Sequence, residues 1–123
     1  MSSTILIVDD SKLVTDIVKM RLEMYGYEVS VAHCGEDGLS RVVDVAPDLI
    51  VLDVQMPGVD GIEVFRTMRA DPDMQDIPVI FFTANAEKLK QRLPEVEGLG
   101  AALLPKPFNV IRLLDMVEAA LAS

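Results

Sequence analysis

Asp48-Leu49-Ile50-Val51-Leu52-Asp53, followed by Val54-Gln55-Met56-Pro57-Gly58-Val59-Asp60-Gly61, is an apolar run that ends in a carboxylate and enters a turn. Four aliphatic residues in a row suit a strand covered on both faces, as in a parallel sheet. Ile5-Leu6-Ile7-Val8 ends the same way, in Asp9 and Asp10. In open α/β sheets ligands bind beyond the carboxyl ends of the strands. Two acidic strand ends on one rim would make a cation site that contains a nucleophile.

Outward from these runs, short apolar stretches alternate with segments of helical period. Thr4 to Val8 reads as a strand, and Ser11 then caps a helix carrying Leu13, Val14, Ile17, Val18, Leu22 and Tyr25, stopped at Gly26. Glu28 to Ala32 alternates like a strand nearer an edge. Glu36 to Val45 is the next helix, with Leu39, Val42 and Val43 inward, and Pro47 ends it. After the strand Leu49 to Leu52 come a helix from Gly61 to Arg69, with Ile62, Phe65 and Met68 on its apolar face, and the turn Asp71-Pro72-Asp73. Ile77 to Phe82 is the fourth strand, with Pro78 near its start, where a missing N–H is tolerated. Ala86 to Leu93 is a short helix before Pro94, Ala101 to Leu104 a fifth strand, and Asn109 opens a last helix through Leu121, with Ile111, Leu114 and Val117 inward. Five βα units imply a parallel sheet with helices on both faces. Right-handed crossovers place every strand's carboxyl end on one rim. Asp9, Asp10, Asp53, Thr83 and Lys106 all fall there.

The chain's 123 residues make one domain, 1–123, and half of them are apolar, enough for a core. The net charge of −9 argues against direct contact with nucleic acid or an anionic membrane, which needs clustered Lys and Arg. Cys34 is the single cysteine, so no internal disulfide forms, and it reads as a small core or loop residue. The N-terminus lacks the charged and apolar regions of a signal peptide. No apolar stretch approaches the ~20 residues of a membrane span. A cytoplasmic location is expected. Met20, Met24, Met56, Met68, Met74 and Met116 read as core or turn residues, and His33 has no second His or Cys pair to make it a metal ligand.

The chemistry lies in the acidic group. Asp9, Asp10 and Asp53 crowded together repel, and burial raises carboxylate pKa values. A hard divalent cation relieves the repulsion, and Mg²⁺ typically binds one or two carboxylates while keeping waters and phosphate oxygens. The plainer role for Asp9 and Asp10 is capping the first helix. Asp53 has no helix directly after it, and a carboxylate can attack phosphorus to give an acyl phosphate. A cation must then neutralise the spreading charge. Lys106 is placed to supply it, between Pro105 and Pro107, and the Thr83 hydroxyl can donate to a phosphoryl oxygen.

Ile5-Leu6-Ile7-Val8-Asp9-Asp10, Asp53-Val54-Gln55-Met56-Pro57-Gly58-Val59-Asp60-Gly61, Phe82-Thr83-Ala84 and Lys106-Pro107-Phe108 together closely resemble the receiver domain of two-component response regulators. The resemblance covers essentially the whole chain, in order. It implies a flavodoxin-like, doubly wound (βα)5 fold with strand order 2-1-3-4-5. It implies that Asp53 accepts a phosphoryl group from a phosphohistidine on a histidine kinase or histidine phosphotransfer protein. Asp10, Asp53 and the Gln55 carbonyl would ligate Mg²⁺, with Asp9 reaching it through water. Lys106 would pair with a phosphoryl oxygen, the Lys106-Pro107 bond would be cis, and Thr83 would turn inward onto the phosphate, biasing a two-state element.

Two positions depart from the family. Leu103 stands where an aromatic residue usually swings inward with the Thr, so that coupling cannot work in its usual form. Pro94, with Gly98 and Gly100, shortens the fourth helix and suggests a long, mobile connection. Gln55 and Asn85 flank the expected path of an attacking water, and as neutral amides neither is a general base, so slow to moderate autodephosphorylation is expected. The leading expectation is a phosphoryl-accepting switch, not an enzyme, controlling a partner or effector through its fourth-helix and fifth-strand face. The alternative is a receiver fold that docks partners without phosphorylation. A Mg²⁺-dependent phosphatase would want a second Asp where Gln55 stands, and a flavin carrier would want a phosphate-binding loop where Asp9 and Asp10 stand.

Overall fold

A computed structural model describes residues 3–94, 98, 100–107 and 109–122. The strands are β1 (Thr4–Val8), β2 (Glu28–Ala32), β3 (Leu49–Asp53), β4 (Val79–Thr83) and β5 (Ala101–Pro105). The helices are α1 (Lys12–Met24), α2 (Gly35–Val45), α3 (Gly61–Ala70), α4 (Ala86–Arg92) and α5 (Val110–Ala122). All four strand pairings are parallel, in the order β2-β1-β3-β4-β5. This is the doubly wound sheet that the alternation of runs implies.

The period of two along each strand sorts side chains into two cores. Leu6, Val8, Ile50, Leu52, Val79 and Phe81 pack with Val42 of α2, Ile62 and Phe65 of α3, and Leu89 of α4. Ile5, Ile7, Leu49, Val51, Ile80 and Phe82 pack with Val18 and Leu22 of α1 and with Leu113 and Val117 of α5. With both faces covered, the central strands have no room for polar side chains until they end.

Helix ends follow local chemistry. The Ser11 hydroxyl accepts from Val14 N–H and caps α1, and Gly26 leaves it at φ 91°. Leu93, which precedes Pro94, leaves the helical region at φ −140° and ψ 72°, so α4 stops at Arg92. Residues 95–97 and 99 lie outside the described set, and with them most of the connection expected to be mobile. Cys34 is the N-cap of α2, its thiol accepting from Asp37 N–H.

Several expectations need correcting. β4 starts at Val79 rather than Ile77, because Pro78 has no N–H and Ile77 N–H is held in a turn by Met74 O. Val43 is exposed, since adjacent helical residues point about 100° apart and Val42 takes the inward position. Ile111 is likewise exposed, and Leu113 fills its place in the core. Leu13, Ile17, Met20, Met24 and Tyr25 also face outward, so Met20 and Met24 are neither core nor turn residues. Among the described residues no helix is long and apolar enough to cross a membrane.

Candidate functional site

Register builds the site. Val8 pairs with Leu52, so Asp9 lies beside Asp53, one step past the last pair. Asp53 pairs with Phe82 and Thr83 with Pro105, which puts Lys106 one residue past β5 on the same rim. The Lys106 backbone N–H donates to Thr83 O at 2.7 Å, and the Lys106-Pro107 bond is cis, as expected. Phe108 lies outside the described residues.

Asp9, Asp53 and Thr83 are buried, while Asp10 is exposed. One carboxylate oxygen from each of Asp9, Asp10 and Asp53 lies within 4.8 Å of the others. Hard oxygen donors gathered in this way could hold a divalent cation such as Mg²⁺. Lys106 Nζ donates to Asp9 Oδ2 at 3.1 Å and lies 3.4 Å from Asp53 Oδ1. Asp9 Oδ1 accepts from Ser11 N–H at 2.9 Å, so Asp9 also secures the start of α1. Gln55 N–H donates to Asp53 Oδ1 at 3.4 Å.

Burial, and next the charge of Asp9, push the Asp53 carboxyl up to about 6, against the pull of Lys106 and the Gln55 N–H. Burial works to lower the Lys106 ammonium, yet its hydrogen bond to Asp9 and the charge of Asp53 leave it raised. The pair is therefore a crowded carboxylate and a firmly charged cation.

Beside Asp53 a cleft of about 380 Å³ separates the β3–α3 loop from α4. Gln55, Met56 and Asp60 line one side, and Thr83, Asn85, Lys88 and Arg92 the other. Thr83 Oγ1 accepts from Asn85 N–H at 3.0 Å, which leaves its proton free to be donated. Across the cleft, Arg92 Nη1 meets Asp60 Oδ2 at 2.8 Å, and Arg66 Nη2 donates to Arg92 O at 2.9 Å. Sequence reasoning missed Asp60 and Arg92. Asp60-x-x-Glu63 is a helix-start pattern, and Asp60 Oδ1 does accept from Glu63 N–H, but nothing in the sequence pairs it with Arg92. All the rim residues expected from sequence converge here. Leu103, half-buried, packs on the core beneath α3 and α4.

Comparison with known proteins agrees with this geometry. A family profile described as the response regulator receiver domain matches residues 5–118. The response regulator MprA of Mycobacterium bovis (strain BCG / Pasteur 1173P2) is 37% identical over 121 residues, covering 98% of this chain and 51% of that protein. The DNA-binding dual master transcriptional regulator RpaA of Synechocystis is 40% identical over 120 residues, covering 95% and 48%. The chain thus spans about half the length of these relatives. The expected absence of nucleic-acid contact gains no support from them, since one is itself DNA-binding. Among solved structures, a putative response regulator from Chloroflexus aurantiacus superposes with a TM-score of 0.89 at 31% identity, covering 100% of both chains. The Vibrio cholerae chemotaxis protein CheY4 gives 0.87 at 30%, covering 98% and 99%. The chain belongs to the response regulator receiver domain family.

Proposed function

We propose that Asp53 is a phosphoryl acceptor, and that this chain is a switch charged by a phosphohistidine on a histidine kinase or histidine phosphotransfer protein. The observation that carries the reading is the position of the Asp53 carboxylate, buried and gathered with Asp9 and Asp10 beside the Lys106 ammonium. An Asp53 oxygen attacks phosphorus as the P–N bond to the donor imidazole breaks, and the imidazole leaves with a solvent proton. Asp9, Asp10 and Asp53, with the Gln55 carbonyl, would hold Mg²⁺, which supplies positive charge against the phosphoryl oxygens. Lys106 pairs with one of those oxygens once released from Asp53 Oδ1.

Thr83 has a buried hydroxyl with a free proton beside the cleft. Donating to the phosphoryl group draws it inward and biases the α4 side of the fold. With Leu103 in place of an aromatic ring, the output rests on Thr83 and α4 alone. Gln55 and Asn85 offer no general base, so the acyl phosphate is lost at a slow to moderate rate. The protein accepts one group rather than turning over a substrate.

The test is reaction with acetyl phosphate and Mg²⁺, read by intact mass, for the parent and Asp53→Asn. One added phosphoryl group, dependent on Mg²⁺ and absent in Asp53→Asn, is expected. No adduct despite Mg²⁺ binding would favour the alternative, a receiver fold that docks partners constitutively.

A further inference from the structure

We propose that the pocket between the end of α2 and the turn leading into β4 binds a small organic cation, a compact hydrocarbon group that carries an ammonium or guanidinium. The pocket lies at the end of the sheet opposite the acidic rim, because α2 runs from that rim toward the start of β3 and the turn runs into the start of β4. Its volume is about 320 Å³, at the small end of the range for ligand sites. The floor is buried and apolar, made of Val42 on α2 and Met74 in the turn. Methionine adapts its shape to what it touches, so this floor can mould to a ligand. Ile77 forms part of the wall, and Val43, 72% exposed, stands at the mouth.

The wall also includes a residue in an uncommon conformation. Ala46 ends α2 at φ 48° and ψ 62°, in the left-handed region that glycine enters without steric cost. Among the described residues it is the one non-glycine at positive φ. Ala46 lines the cavity, so the chain carries local backbone strain where it keeps an apolar wall.

Charge selects the ligand. Asp71 and Asp73 line the pocket, and no Lys or Arg is among the lining residues. The turn fixes both carboxylates in place: Asp71 Oδ1 accepts from Asp73 N–H at 2.8 Å, and Met74 N–H donates to Asp71 O at 3.0 Å. A concavity with low-dielectric walls and charges of one sign focuses their field, so a cation is drawn in and an anion is kept out. The −9 charge of the chain acts in the same direction. A macromolecular partner would need a broader apolar surface around the pocket. Apart from Val43, the strongly exposed large apolar residues among those described lie on α1, at its C-cap and on α5. Arg41 and Asp44, beside Val43 on α2, are exposed and polar. The site therefore suits a free small molecule.

The test is a titration of the isotope-labelled full chain near neutral pH, followed by backbone amide chemical shifts, with probes of matching shape: cyclohexylmethylamine, cyclohexylmethanol and cyclohexanecarboxylate. The amine should bind with a Kd on the order of 1 mM, as suits a ligand of so few atoms, and should move amides within residues 42–46 and 73–77. The alcohol should bind ~3-fold or more weakly, and the carboxylate ~10-fold or more weakly. Raising NaCl from about 20 mM to about 500 mM should weaken the amine ~2-fold or more without weakening the alcohol. Asp73→Asn should narrow the gap between amine and alcohol, and Asp71→Asn with Asp73→Asn should close it to within about twofold. Val43→Arg, at an exposed position, places a tethered cation at the mouth and should weaken the amine ~5-fold or more. The same spectra show whether each variant keeps its fold. Equal binding of amine and alcohol by the parent overturns the proposal. So does an amine affinity indifferent to both Asn substitutions, or a set of shifts centred on Asp9, Asp53 and Lys106 instead.

Discussion

Lys106 holds Asp9 more closely than it holds Asp53: its Nζ is 3.1 Å from Asp9 Oδ2 and 3.4 Å from Asp53 Oδ1. The lysine side chain remains a quarter exposed, whereas both carboxylates are buried. It is thus the charge that lets Asp9 and Asp53 share one rim in the absence of metal.

Removing that charge should be costly. Lys106→Ala leaves two buried carboxylates facing each other and should lower stability in EDTA at pH 7 by about 1–3 kcal/mol, read by urea unfolding. Added Mg²⁺ should then stabilise the variant by more than it stabilises the parent. Equal stabilisation of the two would show that Lys106 does not offset the carboxylate repulsion.

Asp53 sets a pH dependence of definite sign. Its carboxyl rises from 3.8 to about 6 on folding, so between these values the folded protein holds a proton that the unfolded chain has released. The stability this group contributes is present at low pH, falls as pH rises from about 4 to 6, and stays reduced above that. Asp53→Asn cannot ionise. In metal-free buffer at pH 7.5 it should be more stable than the parent by on the order of 1–3 kcal/mol, with the gap closing toward pH 4. A gap that does not vary with pH would contradict this account of the buried carboxyl.

Asp60 should matter more to stability than Arg92. Asp60 caps α3 through Glu63 N–H and also meets Arg92, whereas Arg92 is half-exposed. Asp60→Ala should cost about 1–2 kcal/mol and Arg92→Ala under about 1 kcal/mol. A double-mutant cycle isolates the bridge itself, and a coupling near zero would mean that α4 is held by Leu89 and Leu93 packing and the Arg66 bond to Arg92 O rather than by the ion pair.

Gly61 should not tolerate even a methyl group. A Cβ there would collide with the Asp53 carbonyl oxygen and lie 2.9 Å from Val54 Cα. Both obstacles are backbone and cannot rotate away. Gly61→Ala should cost about 1–3 kcal/mol by overpacking and should slow phosphorylation of Asp53. Gly58→Ala, at a φ of 74° with nothing near its Cβ, is the contrast: strained locally but neutral toward the acceptor.

The rim residues were legible because each follows a run of apolar residues, and a parallel sheet has only one edge where such runs can end. Asp9, Asp53, Thr83 and Lys106 needed no knowledge of side-chain packing. Which of two neighbouring apolar residues points inward was not legible: Val42 and Val43 differ only in rotation about α2. Composition also gave no reason for α1 to carry a second apolar face, since Ile17 and Val18 look equally fit for a core. The Asp60–Arg92 bridge was hidden for another reason. Charges pair by proximity, and no local pattern links the N-cap of α3 to the end of α4 before the fold brings them together.

The close seat of Gly61 against Asp53 makes the two sides of the acceptor mechanically unequal. Toward α3, backbone presses on backbone, and the wall is stiff. Toward α4, a cleft of about 380 Å³ gives slack, bounded by Thr83 and spanned by the Asp60–Arg92 ion pair. A load applied at Asp53 therefore relaxes along the compliant side, and the direction of any signal is set by where the fold is loose.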